Sequence, residues 1–312
     1  MSVILTIILP VFGLIAVGYL CGRTGILAQT TGQGISDFAF TLGIPALLFH
    51  TVATAKFGDL SPLAVWTSYF GAAALTWVAG AAATTSLLGR PIADGPSIAM
   101  SSVFGNTAML GLPLAIAAFG TVAAAPAALV LSIHAPALWV AGMVHSAAVS
   151  DKERTTAAAM AATLASDLAR NPIVLAILAG ALWRLTGLEL PLPINRLVEL
   201  LAQAGVPASL VALGLTLVGA EVKGQGPTLA LISGLKLVLM PVLAWALGAL
   251  VFRLQPLQLA VIVVLAAMPT GGNAFLFAVK EGRAVNSASG SVALGTVLAA
   301  VTAAVVISLL RP

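Results

Sequence analysis

Charge is what this sequence has least of. Of its 312 residues, 14 are Lys or Arg and 10 are Asp or Glu, so 8% are charged, against about 25% in soluble domains. That is too few to cover a water-facing surface, which excludes a soluble globular protein. Cysteine is nearly absent as well. Cys21 stands alone, which excludes an intrachain disulfide and a thiolate cage, and no metal site is expected. The sequence contains no His-Glu-x-x-His, no Gly-x-Ser-x-Gly and no P-loop, so neither an enzyme nor an ATP-driven pump is expected. The basic residues lie scattered between apolar runs and form no patch. They read as membrane topology signals, and nucleic acid is not an expected partner.

What is there is apolar sequence: 60% hydrophobic residues and a mean hydropathy of +1.09. The runs are continuous and do not alternate, which points to helices and not to a barrel. Segments 3–22, 35–55, 62–88, 96–119, 122–149, 168–186, 197–219, 227–252, 256–279 and 286–310 each suffice for a span. The expected fold is thus an all-α membrane protein with ten transmembrane helices and the lipid bilayer as its first partner. Met1-Ser2-Val3-Ile4 lacks a basic leader and reads as the start of the first span.

A shift of 162 residues brings the two halves into register. Thr24-Gly25-Ile26 falls on Thr186-Gly187-Leu188, Gly43-Ile44-Pro45-Ala46 on Gly205-Val206-Pro207-Ala208, Asp37 on Glu199 and Gly120 on Gly282. Residues 1–150 then form a first five-helix repeat, 151–170 a central cytoplasmic loop, and 171–312 a second repeat. Five spans per half make the second repeat inverted. Eight basic residues, including Lys152, Arg154 and Arg170, fall in loops on one side and five on the other. The positive-inside rule then puts both termini outside.

Two stretches break the pattern. Gly105, Asn106, Thr107, Gly111 and Pro113 interrupt span four, and Pro269, Thr270, Gly271, Gly272 and Asn273 interrupt span nine. The register aligns them. A helix broken at mid-membrane is tolerated where it lines a cavity, and its half-helix N-terminus offers unpaired N–H groups to an anion. The glycines allow close approach, the Asn and Thr side chains supply donors and acceptors, and Pro113 and Pro269 hold the bends. These residues are the candidate binding site. Pro45 and Pro207 are expected to kink spans two and seven beside it. Asp37 and Glu199 lie near the expected starts of those spans and read as partners of the helix dipole in preference to proton-coupling groups. Lys236 is the one charge well inside a span, and two readings stand open: a partner for an anionic substrate, or a side chain snorkelling to the surface. His134 is the candidate for proton coupling among the three histidines, against a plain hydrogen-bonded core role.

With Asn106-Thr107, Gly111-Leu112-Pro113, Pro269-Thr270-Gly271-Gly272-Asn273, Ile8-Leu9-Pro10-Val11-Phe12 and Leu235-Lys236-Leu237 in this order, the whole chain resembles the auxin efflux carrier family. Its bacterial members are described as malonate or malate permeases. The resemblance implies a fold shared with bile-acid sodium symporters, with a scaffold domain, a transport domain and crossing broken helices four and nine. It implies a secondary transporter of small mono- or dicarboxylates in a bacterial cytoplasmic membrane, no cofactor beyond a coupling H+ or Na+, and a homodimer. The short central loop departs from the plant carriers and makes auxin an unexpected substrate. No Asp or Glu occurs in 95–150 or 254–279, which disfavours a cation antiporter. A sodium-coupled bile-acid-like symporter and a non-transporting membrane sensor are the alternatives.

Overall fold

The computed structural model describes residues 4–54, 61–149, 162, 165–166, 168–218 and 225–310. These residues form helices and no strand. The one strand-like feature is an isolated antiparallel bridge between Gly105 and Thr270. Among the described residues, seven helices are long and apolar enough to cross a membrane: α1 (Leu5–Arg23), α2 (Thr30–Thr54), α3 (Pro62–Ser86), α6 (Thr121–Val149), α8 (Leu192–Thr216), α9 (Gly226–Val251) and α12 (Val285–Leu310). Shorter ones lie between them: α4 (Gly95–Val103), α5 (Thr107–Phe119), α7 (Pro172–Leu185), α10 (Pro256–Ala266) and α11 (Gly272–Glu281). Most of the expected central loop, with Lys152 and Arg154, lies outside the described residues, so the orientation drawn from those charges does too.

Proline shapes these helices by a recurring device. Wide π turns at Ile4–Ile8, Ala39–Gly43, Thr107–Gly111 and Leu235–Leu239 are each followed, two residues on, by a proline: Pro10, Pro45, Pro113 and Pro241. A proline inside a helix lacks its N–H and crowds the carbonyl four residues back. A turn opened to wider spacing relieves that crowding without ending the helix. Pro207 sits within α8 with no such turn.

Glycines set how closely the helices approach. A Cβ on Gly18 of α1 would lie 2.1 Å from the Val211 carbonyl oxygen of α8, and one on Gly214 of α8 would lie 2.0 Å from the Ile15 oxygen of α1. Gly43 of α2 and Gly205 of α8 press directly on each other, and Gly180 of α7 lies against the Phe49 backbone of α2. Such small-residue contacts replace the hydrophobic drive that helices lack in lipid. They join α1, α2, α7 and α8 into one body. The others pack in a second group, α3 on α4 and α9, α9 on α10 and α12, and α11 on α12.

Two expectations need correction here. α2 and α8 begin at Thr30 and Leu192, earlier than the apolar runs suggested, so Asp37 and Glu199 stand two turns inside their helices. The dipole's influence is confined to the first turn, and neither carboxylate serves as a dipole partner. Asp37 instead accepts a hydrogen bond from Gln33 at 2.9 Å. Glu199 accepts from Asn195 at 2.8 Å and Arg196 at 3.3 Å; Asn195 in turn pairs with His50 of α2 at 2.9 Å.

Candidate functional site

The two interruptions meet. Residues 104–106 separate α4 from α5, and residues 267–271 separate α10 from α11. The stretches run antiparallel, with the Asn106 N–H donating to the Pro269 carbonyl and the Gly271 N–H to the Phe104 carbonyl, both at 2.8 Å. The contact is close: a Cβ on Gly271 would fall 3.1 Å from the Gly105 carbonyl oxygen. The Thr270 hydroxyl donates to the Ser101 carbonyl at 2.8 Å, so Thr270 ties the breaks together.

The carbonyl ends of the half-helices α4 and α10 are therefore closed by the protein's own donors. Lys236 completes the set. Its side chain, 1% exposed, donates from Nζ to the Ala266 carbonyl at 2.5 Å and lies 3.2 Å from Met240 Sδ. The snorkelling reading is thus overturned: the amine turns inward, because a carbonyl at the end of α10 awaits a donor there. Gly111 and Pro113 are buried behind the break, where a Cβ on Gly111 would touch Leu265 and Met268.

The N–H ends behave in the opposite way. Among the described residues, the N–H groups of Thr107, Ala108 and Met109 at the start of α5, and of Gly272 and Asn273 at the start of α11, make no hydrogen bond. These same residues line a cavity of about 410 Å³, together with Gly105, Asn106 and Gly271. Unpaired N–H groups at a helix start carry the positive end of the helix dipole. The side-chain groups of Asn106, Thr107 and Asn273 also have no protein partner among the described residues. Among the described residues, no carboxylate lines this cavity.

The remaining wall comes from Phe40 of α2, Leu131, His134 and Ala135 of α6, and Arg170 to Ile173 at the start of α7. His134, a sequence candidate, packs edge-on to Phe104 at 4.7 Å between ring centroids. Its Nδ1 lies 3.4 Å from the Tyr69 hydroxyl. Pro45, Pro207, Asp37 and Glu199 do not reach the cavity. Arg170 is the residue the sequence reading missed as a site residue, having counted it only as a loop charge. Among the described residues it is the one Lys, Arg, Asp or Glu on the wall. Asn171 beside it caps α7, its Oδ1 accepting from the Ile173 N–H at 2.9 Å. The Asn-Pro start of a helix was visible in the sequence; that it would approach the breaks was not.

Comparison with known proteins identifies a transporter family. Residues 3–307 match the family described as membrane transport protein. The chain is 30% identical over 315 residues to a Rhizobium meliloti (strain 1021) protein named "Putative malonate transporter", across all of this chain and 97% of that one. It is also 23% identical over 250 residues to the mouse "Lysosomal cholesterol signaling protein", which covers 76% of this chain and 29% of that longer protein. The family and the bacterial relative's name are those of a membrane transporter, not an enzyme. With its long apolar helices, broken helix pair and full-length match, the chain is an integral membrane protein that belongs to the membrane transport protein family, the auxin efflux carriers its motifs resemble.

Proposed function

We propose that this protein is a secondary carrier of small carboxylates, malonate-like dianions foremost, and that the substrate binds where the two breaks cross. One observation carries the reading. At the crossing the negative ends of the half-helices are satisfied internally, while the positive ends and three free amide or hydroxyl side chains open on a cavity that no described carboxylate lines. That polarity suits an anion. Arg170 supplies a full positive charge on the same wall and suits the second carboxylate of a dianion. The bacterial relative's name supports the malonate class.

The ten-span inverted repeat belongs to the same proposal. Several contacts support it. Gly43 and Gly205, equivalent under the 162-residue register, touch each other, as residues on a pseudo-twofold axis do. α1 packs on α8 while α7 packs on α2, the exchange such an axis requires. Gly25 and Gly187 share a positive φ (77° and 69°). The cavity lies between the body containing α2 and α7 and the group containing the breaks. Sliding of one against the other then exposes the site alternately to each side. The energy comes from the anion's own gradient or from protons, with His134 the titratable group on the wall.

Uptake of labelled malonate, malate and acetate into proteoliposomes tests the reading. Saturable uptake of a dicarboxylate, competed by unlabelled malonate, is expected. Absence of uptake across a wide panel of carboxylates would remove the proposal.

A further inference from the structure

The carbonyl ends of broken helices are where sodium-coupled carriers hold their ion. In this protein Ser101, Phe104 and Pro269 give their carbonyls to Thr270, Gly271 and Asn106, donors that belong to the crossing itself. The Ala266 carbonyl is different. Its donor is the tip of a long side chain arriving from α9, with Met240 sulfur beside it and the Gly105 backbone across from it. A Cβ on Gly105 would come 3.2 Å from Lys236 Nζ. Lys236 is not among the residues that line the cavity; its amine faces the Ala266 carbonyl. No described carboxylate pairs with it.

We infer that Lys236 is a tethered occupant of the coupling-cation position, so that this carrier works without sodium. An amine held at the negative end of α10 and against the opposite break does what a bound ion does elsewhere: it neutralises the helix end and holds the two breaks in register. Lys236 is then a positioning residue. The assignment does not depend on which carboxylate is carried, because occupancy of this position is readable in the absence of substrate.

The test removes the tether and offers replacements. Lys236→Ala leaves a buried space bordered by the Ala266 carbonyl. Wild type is expected to melt at the same temperature, and to take up labelled malonate at the same rate, in sodium and in choline buffers of equal ionic strength. Lys236→Ala is expected to lose at least about tenfold in uptake in choline. Methylammonium or sodium, but not choline, should raise its melting temperature by several degrees and restore part of the uptake. Lys236→Met fills the space with an apolar chain, so it should lose uptake and respond to no cation. Sodium-dependent stability or uptake in wild type would overturn the inference. So would a Lys236→Ala protein indifferent to every cation, or rescue of Lys236→Met. If Lys236→Ala does not survive purification, the wild-type melting temperatures and Lys236→Met decide alone.

Discussion

Asn106, Asn273 and Thr270 look alike in the sequence, as polar residues beside glycines in an apolar run, and the structure separates them. Thr270 spends its hydroxyl on the Ser101 carbonyl, whereas Asn106 and Asn273 have amides free on the cavity wall. A hydrogen bond to a charged group contributes about 1.5–3 kcal/mol. Asn106→Ala and Asn273→Ala should therefore each lower malonate uptake by about 10- to 100-fold at subsaturating substrate, with the melting temperature within a few degrees of wild type. Thr270→Val should do the reverse, costing about 1–3 kcal/mol of stability through the carbonyl it leaves unpaired. Melting curves and uptake on the same preparations distinguish the two. Arg170→Gln should raise the KM for a dicarboxylate about tenfold, near 1.4 kcal/mol, and that for a monocarboxylate much less. Equal effects on both would detach Arg170 from the second carboxylate.

At the scale of elements, the breaks were legible because glycine and proline are costly in a helix interior wherever they occur. The docking of one break on the other was not legible, since the bonds from Asn106 to Pro269 and from Gly271 to Phe104 span more than 160 residues. The start of α2 was misjudged for a related reason. Thr30-Thr31-Gly32-Gln33-Gly34 has loop composition, yet Gly32 lies against Leu215 of α8, where a Cβ would come within 2.9 Å of the Leu215 Cβ. Tertiary packing overrides local propensity there. The inward turn of Lys236 was equally hidden, because its acceptor belongs to another helix. Glycine packing gives the element-scale prediction. Gly214→Ala, which puts a methyl group 2.0 Å from the Ile15 carbonyl oxygen, should separate α1 from α8 and cost about 1–3 kcal/mol. Gly13→Ala, with open space around it, should leave the melting temperature unchanged. A stable Gly214→Ala protein would contradict the close approach.

For the whole molecule, the helices divide into a glycine-packed group and a group that carries the breaks, with the cavity between them. Composition had already excluded a soluble protein, and order and spacing of weak motifs indicated the family. Both were legible because they depend on many residues at once. The central claim is that a carboxylate binds at the crossing. Cys21 is the only native thiol, so a Cys21→Ser protein carrying Ala108→Cys presents one thiol on the cavity wall. The rate at which a neutral maleimide labels that thiol in purified protein is the most direct measurement. Saturating malonate should slow labelling at least about fivefold, with a concentration dependence that matches malonate's effect on the melting temperature. An unchanged labelling rate while malonate still stabilises the protein would mean that the anion binds elsewhere.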